Sequence, residues 1–377
     1  MRKKVILSLA LLAATGAASA QDFANGYYRF QSAVTDRYIV VVDNRGSVDI
    51  MSTTADLGAV QTFRGFDENI VSNPGSIIYV EKHGNGYDLR AQGVSTYDLV
   101  GYYLRIRRSR TNDNAYWAYA TSSGMTSYIN DEVWDGDTGF VGTNDSNGRD
   151  WYILPVETQG ENYFGVRPTC NAEGLYYQPF YASFPFSFAS EGMKAYYVSQ
   201  FGNGMAVLKE YTGEVMPASM PLIIECSSDQ PANNRLDLLT DGGVAPDDNA
   251  LVGVYFNTSE PSRHINRIPN DPATMRMLGL TSEGELGMVS KPVSEVEYIP
   301  ANTAYLVVPE GTASELRFVS EDEFTAGIND ITVAEPVSAA KSGVYTLTGV
   351  KVADGNTLPD GLPAGVYIVG GKKVVVR

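Results

Sequence analysis

The stretch Tyr128-Ile-Asn-Asp-Glu-Val-Trp-Asp-Gly-Asp137 gathers side chains of the types that recognise saccharides. A sugar ring is held by an aromatic face against its apolar side and by planar polar groups at its hydroxyls. Tyr128 and Trp134 supply the rings, and Asp131 and Asp135 the acceptors. A tryptophan among turn-forming acidic residues is harder to bury than one in a strand, so the expected site is a carbohydrate platform at Trp134. The competing reading has Trp134 folded back as a plug, with solvated carboxylates around it. Oxygen-rich pieces at Asp135-Gly-Asp137 and Asn144-Asp-Ser-Asn-Gly148 complete no calcium loop. No metal and no cofactor is expected.

The one dense basic run is Arg105-Ile-Arg-Arg-Ser-Arg110. On a strand, Arg105 and Arg107 share a face, which makes either a spot for sulfate, sialate or another anion or the guarded solvent side of an edge strand. Catalytic constellations are absent from the sequence pattern. The two histidines, His83 and His264, have no zinc-binding spacing, and there is neither a nucleophile elbow nor a phosphate-cradling loop. Cys170, His264 and Asn266 follow the chain order of a thiol protease without its flanking signature. Glycoside hydrolysis needs two carboxyls roughly 5 to 9.5 Å apart, a three-dimensional property that 44 acidic residues leave open. The expectation is a non-catalytic protein with no catalytic residues assigned. A glycan-directed hydrolase and a purely structural surface protein are the alternatives.

The elements that must position these residues are strands. Twenty-four tyrosines, 14 phenylalanines and 37 glycines sit in short apolar runs bounded by turn residues, so the chain reads as all-β. Asp271 to Leu280 is expected to form a short helix. With 28 basic against 44 acidic residues, nucleic acid and anionic membrane surfaces are disfavoured as partners. Arg2-Lys-Lys4, the apolar Val5 to Ala14 and Ala18-Ser-Ala20 read as a signal peptide over residues 1–20, cleaved between Ala20 and Gln21. Gln21 rather than a cysteine stands directly after the cleavage site, so no lipoprotein anchor is expected, and no later stretch has the roughly twenty apolar residues of a transmembrane anchor. Cys170 and Cys226 are the only cysteines. In an oxidising compartment they form one disulfide or remain two buried thiols.

Residues 21–157 repeat three times. Strand pairs begin at Tyr27, Ile77 and Tyr116, and Gln61-Thr-Phe63 and Arg149-Asp-Trp151 close the first and third units. Units of about forty residues built of short strands suggest a β-trefoil. The closing motifs resemble the glutamine-x-tryptophan of the ricin-type trefoil lectins, which implies carbohydrate or glycoprotein partners and places Phe63 and Trp151 in the core. The second unit departs from the family, ending in Tyr102-Tyr-Leu-Arg-Ile106.

Residues 158–240 and 241–326 read as two related, sandwich-like β-modules. Val215-Met-Pro-Ala-Ser-Met-Pro-Leu-Ile-Ile224 and Tyr298-Ile-Pro-Ala-Asn-Thr-Ala-Tyr-Leu-Val307 share a Pro-Ala bend into an apolar strand. They resemble a module of Bacteroidetes surface proteins. The aromatics Leu175-Tyr-Tyr177 and Phe180 to Phe188 read as core filler or a binding surface. In the tail, 327–377, Gly343-Val-Tyr-Thr-Leu with Val350-Lys-Val352 and Val366–Val369 with Val374–Val376 read as two hairpins of a small sandwich. Gly365-Val-Tyr367 and Gly371-Lys-Lys-Val374 resemble the C-terminal sorting domain of the type IX secretion pathway. That resemblance implies secretion machinery as a partner and a secreted or cell-surface address, with the periplasm as the address if the tail is only a β-module.

Overall fold

The computed structural model describes residues 23–43, 60–95, 103–122, 124–133, 138–142, 148–258, 266–328, 343–346, 351–353, 357–359, 361–363, 365–369 and 372–376. The expected cleavage site at Ala20 and Gln21, together with Trp134, Asp135 and His264, lies outside them. The described chain is almost entirely β. It divides into one compact unit ending at Phe324 and a second from Thr325 to Arg377.

The first unit opens with a twelve-stranded sheet. Its strands are β1 (Gly26–Ser32), β2 (Tyr38–Val41), β3 (Val60–Phe63), β4 (Ile78–His83), β5 (Gly86–Ala91) and β6 (Val94–Ser95). They continue as β7 (Arg105–Arg108), β8 (Tyr116–Ser122), β9 (Met125–Tyr128), β10 (Asn130–Val133), β11 (Thr138–Gly142) and β12 (Trp151–Pro155). Strand β1 pairs with β2, β4 and β12, while β4 continues to β5 and β8 pairs with β7, β9 and β12. Hairpins β2–β3 and β10–β11 meet through a β3–β11 ladder. Strand β12 alternates buried Trp151 and Ile153 with half-buried Tyr152 and Leu154, the period-two pattern of a strand with one face in the core. Trp151 is fully buried against Phe30, Val80, Leu104 and Ile129, and its Nε1 donates to the Ile129 carbonyl at 3.0 Å. Phe63 is not its counterpart. It ends β3 half-buried, and the inward side chains of that strand are Val60 and Thr62.

The chain then forms β13 (Phe164–Gly165), β14 (Cys170–Ala172), β15 (Leu175–Phe180), β16 (Phe186–Phe188), β17 (Lys194–Gly202), β18 (Met205–Glu210), β19 (Leu222–Cys226) and β20 (Arg235–Leu238). After it come β21 (Leu251–Val254), β22 (Met275–Leu280), β23 (Leu286–Val289), β24 (Thr303–Val307), β25 (Glu315–Val319) and helix α1 (Glu321–Ile328). Ten of these strands make one sheet in the order β14-β15-β19-β17-β18-β25-β23-β22-β24-β21, joined at its middle by the parallel pair β18–β25. Either side of that junction carries the same local order. Strands β15, β17, β18 and β19 lie as first-fourth-second-third, and so do β21, β22, β23 and β24. Both Pro-Ala bends lead into the fourth strand of their set, and the residue after each, Ser219 and Asn302, holds a left-handed backbone at φ 60° and 56°. Small polar residues tolerate that region best after glycine.

Asp271 to Leu280 is not a helix. The Asp271 carboxylate accepts from Ala273 N and Thr274 Oγ1, closing one turn, and Met275 onward then becomes β22 between β23 and β24. A strand covered on both faces reads as a continuous apolar run, which resembles a short buried helix in sequence.

The twelve-stranded region packs against the modules. Tyr27 Oη donates to the Leu239 carbonyl at 2.7 Å, and Ile77 joins the same core as Phe164 and Phe184. Buried Arg29 donates to Ser76 Oγ at 3.0 Å, Asn162 Oδ1 at 2.7 Å and the Tyr163 carbonyl at 2.8 Å.

In the second unit, β26 (Val344–Thr346), β27 (Lys351–Ala353), β28 (Gly365–Val369) and β29 (Lys372–Val376) form one antiparallel sheet in the order β27-β26-β28-β29. Pairing of Val369 with Lys372 leaves Gly370-Gly371 between the last two strands. Among the described residues of the tail, both expected hairpins are present and lie in this one sheet. Among the described residues, no helix is long and apolar enough to cross a membrane.

Candidate functional site: a cleft beside the twelve-stranded sheet

A cleft of about 730 Å³ is lined by both the twelve-stranded region and the two modules. One wall is β2, Gln61 of β3 and residues between Glu68 and Pro74; the other is Gln178 and Phe180 of β15, Tyr255, Asn257 and Thr258 after β21, and the Ala301-Asn302 bend. Clefts at domain junctions, with apolar walls and a few convergent polar groups, are where ligands are usually held.

Local sequence builds each wall. A π-helical turn at Phe66–Ile70 is followed by a 3-10 turn at Pro74–Ser76, where Asn73 Oδ1 accepts from Gly75 N at 2.9 Å. Gly75 lies against β2 so closely that a Cβ would stand 2.6 Å from the Val41 carbonyl, so only glycine lets this wall close. Arg29 anchors the wall from behind. Its guanidinium contacts carbonyls and hydroxyls rather than a carboxylate, and burial lowers its pKa to about 9, leaving it charged at neutral pH. On the opposite wall the Tyr255 ring lies 4.4 Å from that of Tyr181, and its hydroxyl is bonded to Ser219 Oγ. Burial raises the Tyr255 phenol, which stays protonated. The Asn302 side chain donates to the Tyr181 carbonyl at 3.2 Å, tying the second bend to the first module.

The lining is rich in side-chain amides, from Gln61, Asn69, Asn73, Gln178, Asn257 and Asn302, with Phe180 and Tyr255 as aromatic surface. Glu68 is the one carboxylate among the described lining residues. Three polar atoms of this lining are buried without a protein hydrogen-bond partner: Ser72 Oγ, Gln178 Oε1 and Thr258 Oγ1. Each comes from a different part of the fold, the twelve-stranded region, the first module and the second. Buried polar groups are nearly always satisfied, so three exceptions among the residues of one cleft mark a place suited to a hydroxyl-rich ligand.

The residues expected from the sequence lie elsewhere. Asp131 is buried and committed to the fold. Its carboxylate pairs with Arg37 Nη2 at 3.0 Å, accepts from Thr62 Oγ1 at 2.7 Å and also accepts from Thr35 Oγ1, so it offers no open acceptor to a sugar. Tyr128 is half-buried on β9 and accepts from Arg107 Nη2 at 2.6 Å. Neither residue lines the cleft.

Cys170 and Cys226 are free thiols. Register explains why: Cys170 pairs with Tyr177 and Cys226 with Tyr176, so the two flank β15 and project from opposite sides of the sheet. Two strand spacings are about 9.5 Å, beyond the roughly 7 Å limit for bridging. Burial pushes the Cys226 thiol up to about 12 and raises that of Cys170. Among the described residues, no group of three or more histidine, cysteine or acidic side chains forms a metal site.

No protein-family model matches the chain, and no curated protein matches it.

Sequence reasoning missed the cleft because its polar residues are scattered singly over more than two hundred positions. One signal did point there. The Pro-Ala bend ends in Asn302, whose left-handed backbone turns the chain at the cleft wall.

Proposed function

We propose that this chain is a saccharide-binding protein whose ligand occupies the cleft between the twelve-stranded region and the two modules. The observation that carries this reading is that Ser72 Oγ, Gln178 Oε1 and Thr258 Oγ1, three buried and unpartnered polar atoms, belong to residues lining one cleft rich in amides and with aromatic surface. Sugar hydroxyls both donate and accept, so they can satisfy such groups without a charge, and amide side chains offer the complementary pairs. A trefoil architecture for residues 21–157 is supported by the ladder β12-β1-β4-β5, the β8–β9 pair and the capping hairpins β2–β3 and β10–β11. On this reading the trefoil contributes one wall of the site rather than the whole of it.

The address belongs to the same proposal. The leader-like residues 1–20 and the tail, with its resemblance to a type IX sorting domain, support a secreted or cell-surface Bacteroidetes protein that meets polysaccharide or glycoprotein outside the cell. Deleting residues 328–377 should then leave saccharide binding intact and shift the protein to the periplasm.

Screening the mature chain against neutral and acidic polysaccharides, with binding and reducing-end release read together, tests the function. Binding without release is expected. Release would make the protein a hydrolase, and neither signal would leave a structural surface protein.

A further inference from the structure

The two four-strand sets hold each other reciprocally. One residue past each first strand stands a tyrosine, Tyr181 after β15 and Tyr255 after β21, and the two rings lie 4.4 Å apart. Each tyrosine is bound by the bend of the other set. Ser219 Oγ bonds the Tyr255 hydroxyl, while Asn302 donates from its side chain to the Tyr181 carbonyl at 3.2 Å and accepts from Tyr181 N at its own carbonyl at 3.1 Å. Such exchange, in which the same element of each half grips the other, is the pattern of an isologous contact. It makes the two sets structural counterparts.

The cleft has a counterpart as well. Residues after β21 and the Ala301-Asn302 bend line the cleft; Ser183 and Pro185 after β15, with Ala218 of the first bend, line a second cavity of about 570 Å³. Tyr27 of β1 and Tyr79 of β4 contribute from the twelve-stranded sheet, and no residue lines both spaces. Hydrogen bonds frame the cavity. The Leu239 carbonyl accepts from Tyr27 Oη, and its amide donates to the Pro185 carbonyl at 2.9 Å. The Tyr211 hydroxyl lies 3.0 Å from the Val215 carbonyl and 3.1 Å from that of Val244, tying the segment that carries Asp241 to the first bend.

The lining suits an uncharged, hydroxyl-rich ligand. The rings of Tyr27 and Tyr79 lie 5.1 Å apart, and half-buried Tyr79 has no hydrogen-bond partner on its hydroxyl among the described residues. Exposed Asp241 carries no cation or hydrogen-bond donor among them either, and a carboxylate accepts strongly from hydroxyls. Arg90, the cation of the lining, is engaged by Glu81 at 2.9 Å and Asp88 at 2.7 Å. Gln92 sits between the lining residues Ala91 and Gly93, buried, with its Oε1 unpartnered.

We infer that this cavity is a second and weaker saccharide site, formed at the first bend as the cleft is formed at the second, with Tyr79 against a sugar ring and Asp241 accepting from its hydroxyls. It rests on the saccharide reading of the cleft. It is the weaker of the two because one unpartnered buried oxygen adjoins it, against three among the cleft residues.

The probe is the tetrasaccharide of the polysaccharide that the screen selects, isomaltotetraose for dextran or xylotetraose for xylan, titrated calorimetrically into the mature chain. Two equivalents should bind, the second about tenfold or more weaker than the first. Tyr79→Ala with Asp241→Asn should remove the weaker equivalent and keep the tighter. Ser72→Ala with Thr258→Val should do the reverse, weakening the tighter and sparing the other. A single equivalent on the unaltered chain would overturn the inference and leave the cleft standing, whether or not the variants fold. Two equivalents that survive Tyr79→Ala with Asp241→Asn would overturn it too. No binding of the tetrasaccharide at all would remove the reading of the cleft and this inference with it.

Discussion

Replacing Arg29 by methionine should weaken the whole first unit and loosen the cleft wall. Arg29 makes three well-formed hydrogen bonds, at 2.7, 2.8 and 3.0 Å, and two long ones to the carbonyls of Ile70 and Val71 at 3.4 and 3.3 Å. The long pair adds little. Ser76 Oγ keeps its contacts with the carbonyls of Ile70 and Asn73, and the Val71 carbonyl still accepts from Gly165 N. Asn162 Oδ1 and the Tyr163 carbonyl are the acceptors left stranded, at a cost of about 1 to 3 kcal/mol each. Methionine refills most of the apolar volume, and removing a buried cation relieves its desolvation, so the expected loss is about 2 to 5 kcal/mol. Urea unfolding followed by intrinsic fluorescence would read this as a lower midpoint. Because Arg29 links β1 to the Asn162-Tyr163 segment, the variant should also separate the transitions of the twelve-stranded region and the modules. A loss below about 1 kcal/mol with one unchanged cooperative transition would refute the role given to Arg29.

Three further outcomes follow from the same geometry. Thiol titration of the unreduced protein in denaturant should find both Cys170 and Cys226 reactive, whereas in the folded state Cys226 should resist alkylation because burial pushes its thiol up to about 12; a chain without titratable thiols would mean a disulfide. Burial and the neighbouring Glu225 raise Tyr177 to about 12 from 10. The unfolded chain releases that proton first, so the stability contribution is complete below about pH 10 and is lost as pH rises to about 12, which phenolate absorbance and unfolding midpoints together would follow. Gly253→Ala should displace Tyr181, since the added Cβ would fall inside its ring envelope. A loss of about 1 to 3 kcal/mol is expected, with weaker saccharide binding because Tyr181 stacks on the cleft residue Tyr255.

Period and punctuation made the strands legible. The alternation in Trp151 to Pro155 specifies a strand with one face in the core, and the two Pro-Ala bends mark matching places in the two strand sets. Burial on both faces defeats such reading, as at Met275 to Leu280, where an apolar run carries no period. The site was less legible. Asp131 looks like an open acceptor in sequence because its partner, Arg37, lies on a distant loop, and only the fold reveals a buried ion pair. Ser72, Gln178 and Thr258 carry no motif, and what distinguishes them is the lack of a partner, a three-dimensional property. The Cys170–Cys226 pairing fails for a similar reason, since register rather than sequence spacing sets the thiols apart.

The central claim rests on polar groups that the fold leaves unsatisfied, and Ser72→Ala combined with Thr258→Val tests it directly. Neither hydroxyl Oγ has a protein partner, so their removal should leave the unfolding midpoint unchanged or slightly raised. Calorimetric titration with the polysaccharide that binds the unaltered chain most tightly should show affinity falling about tenfold or more, as two ligand hydrogen bonds are lost. Unchanged affinity in a fully folded variant would contradict the account.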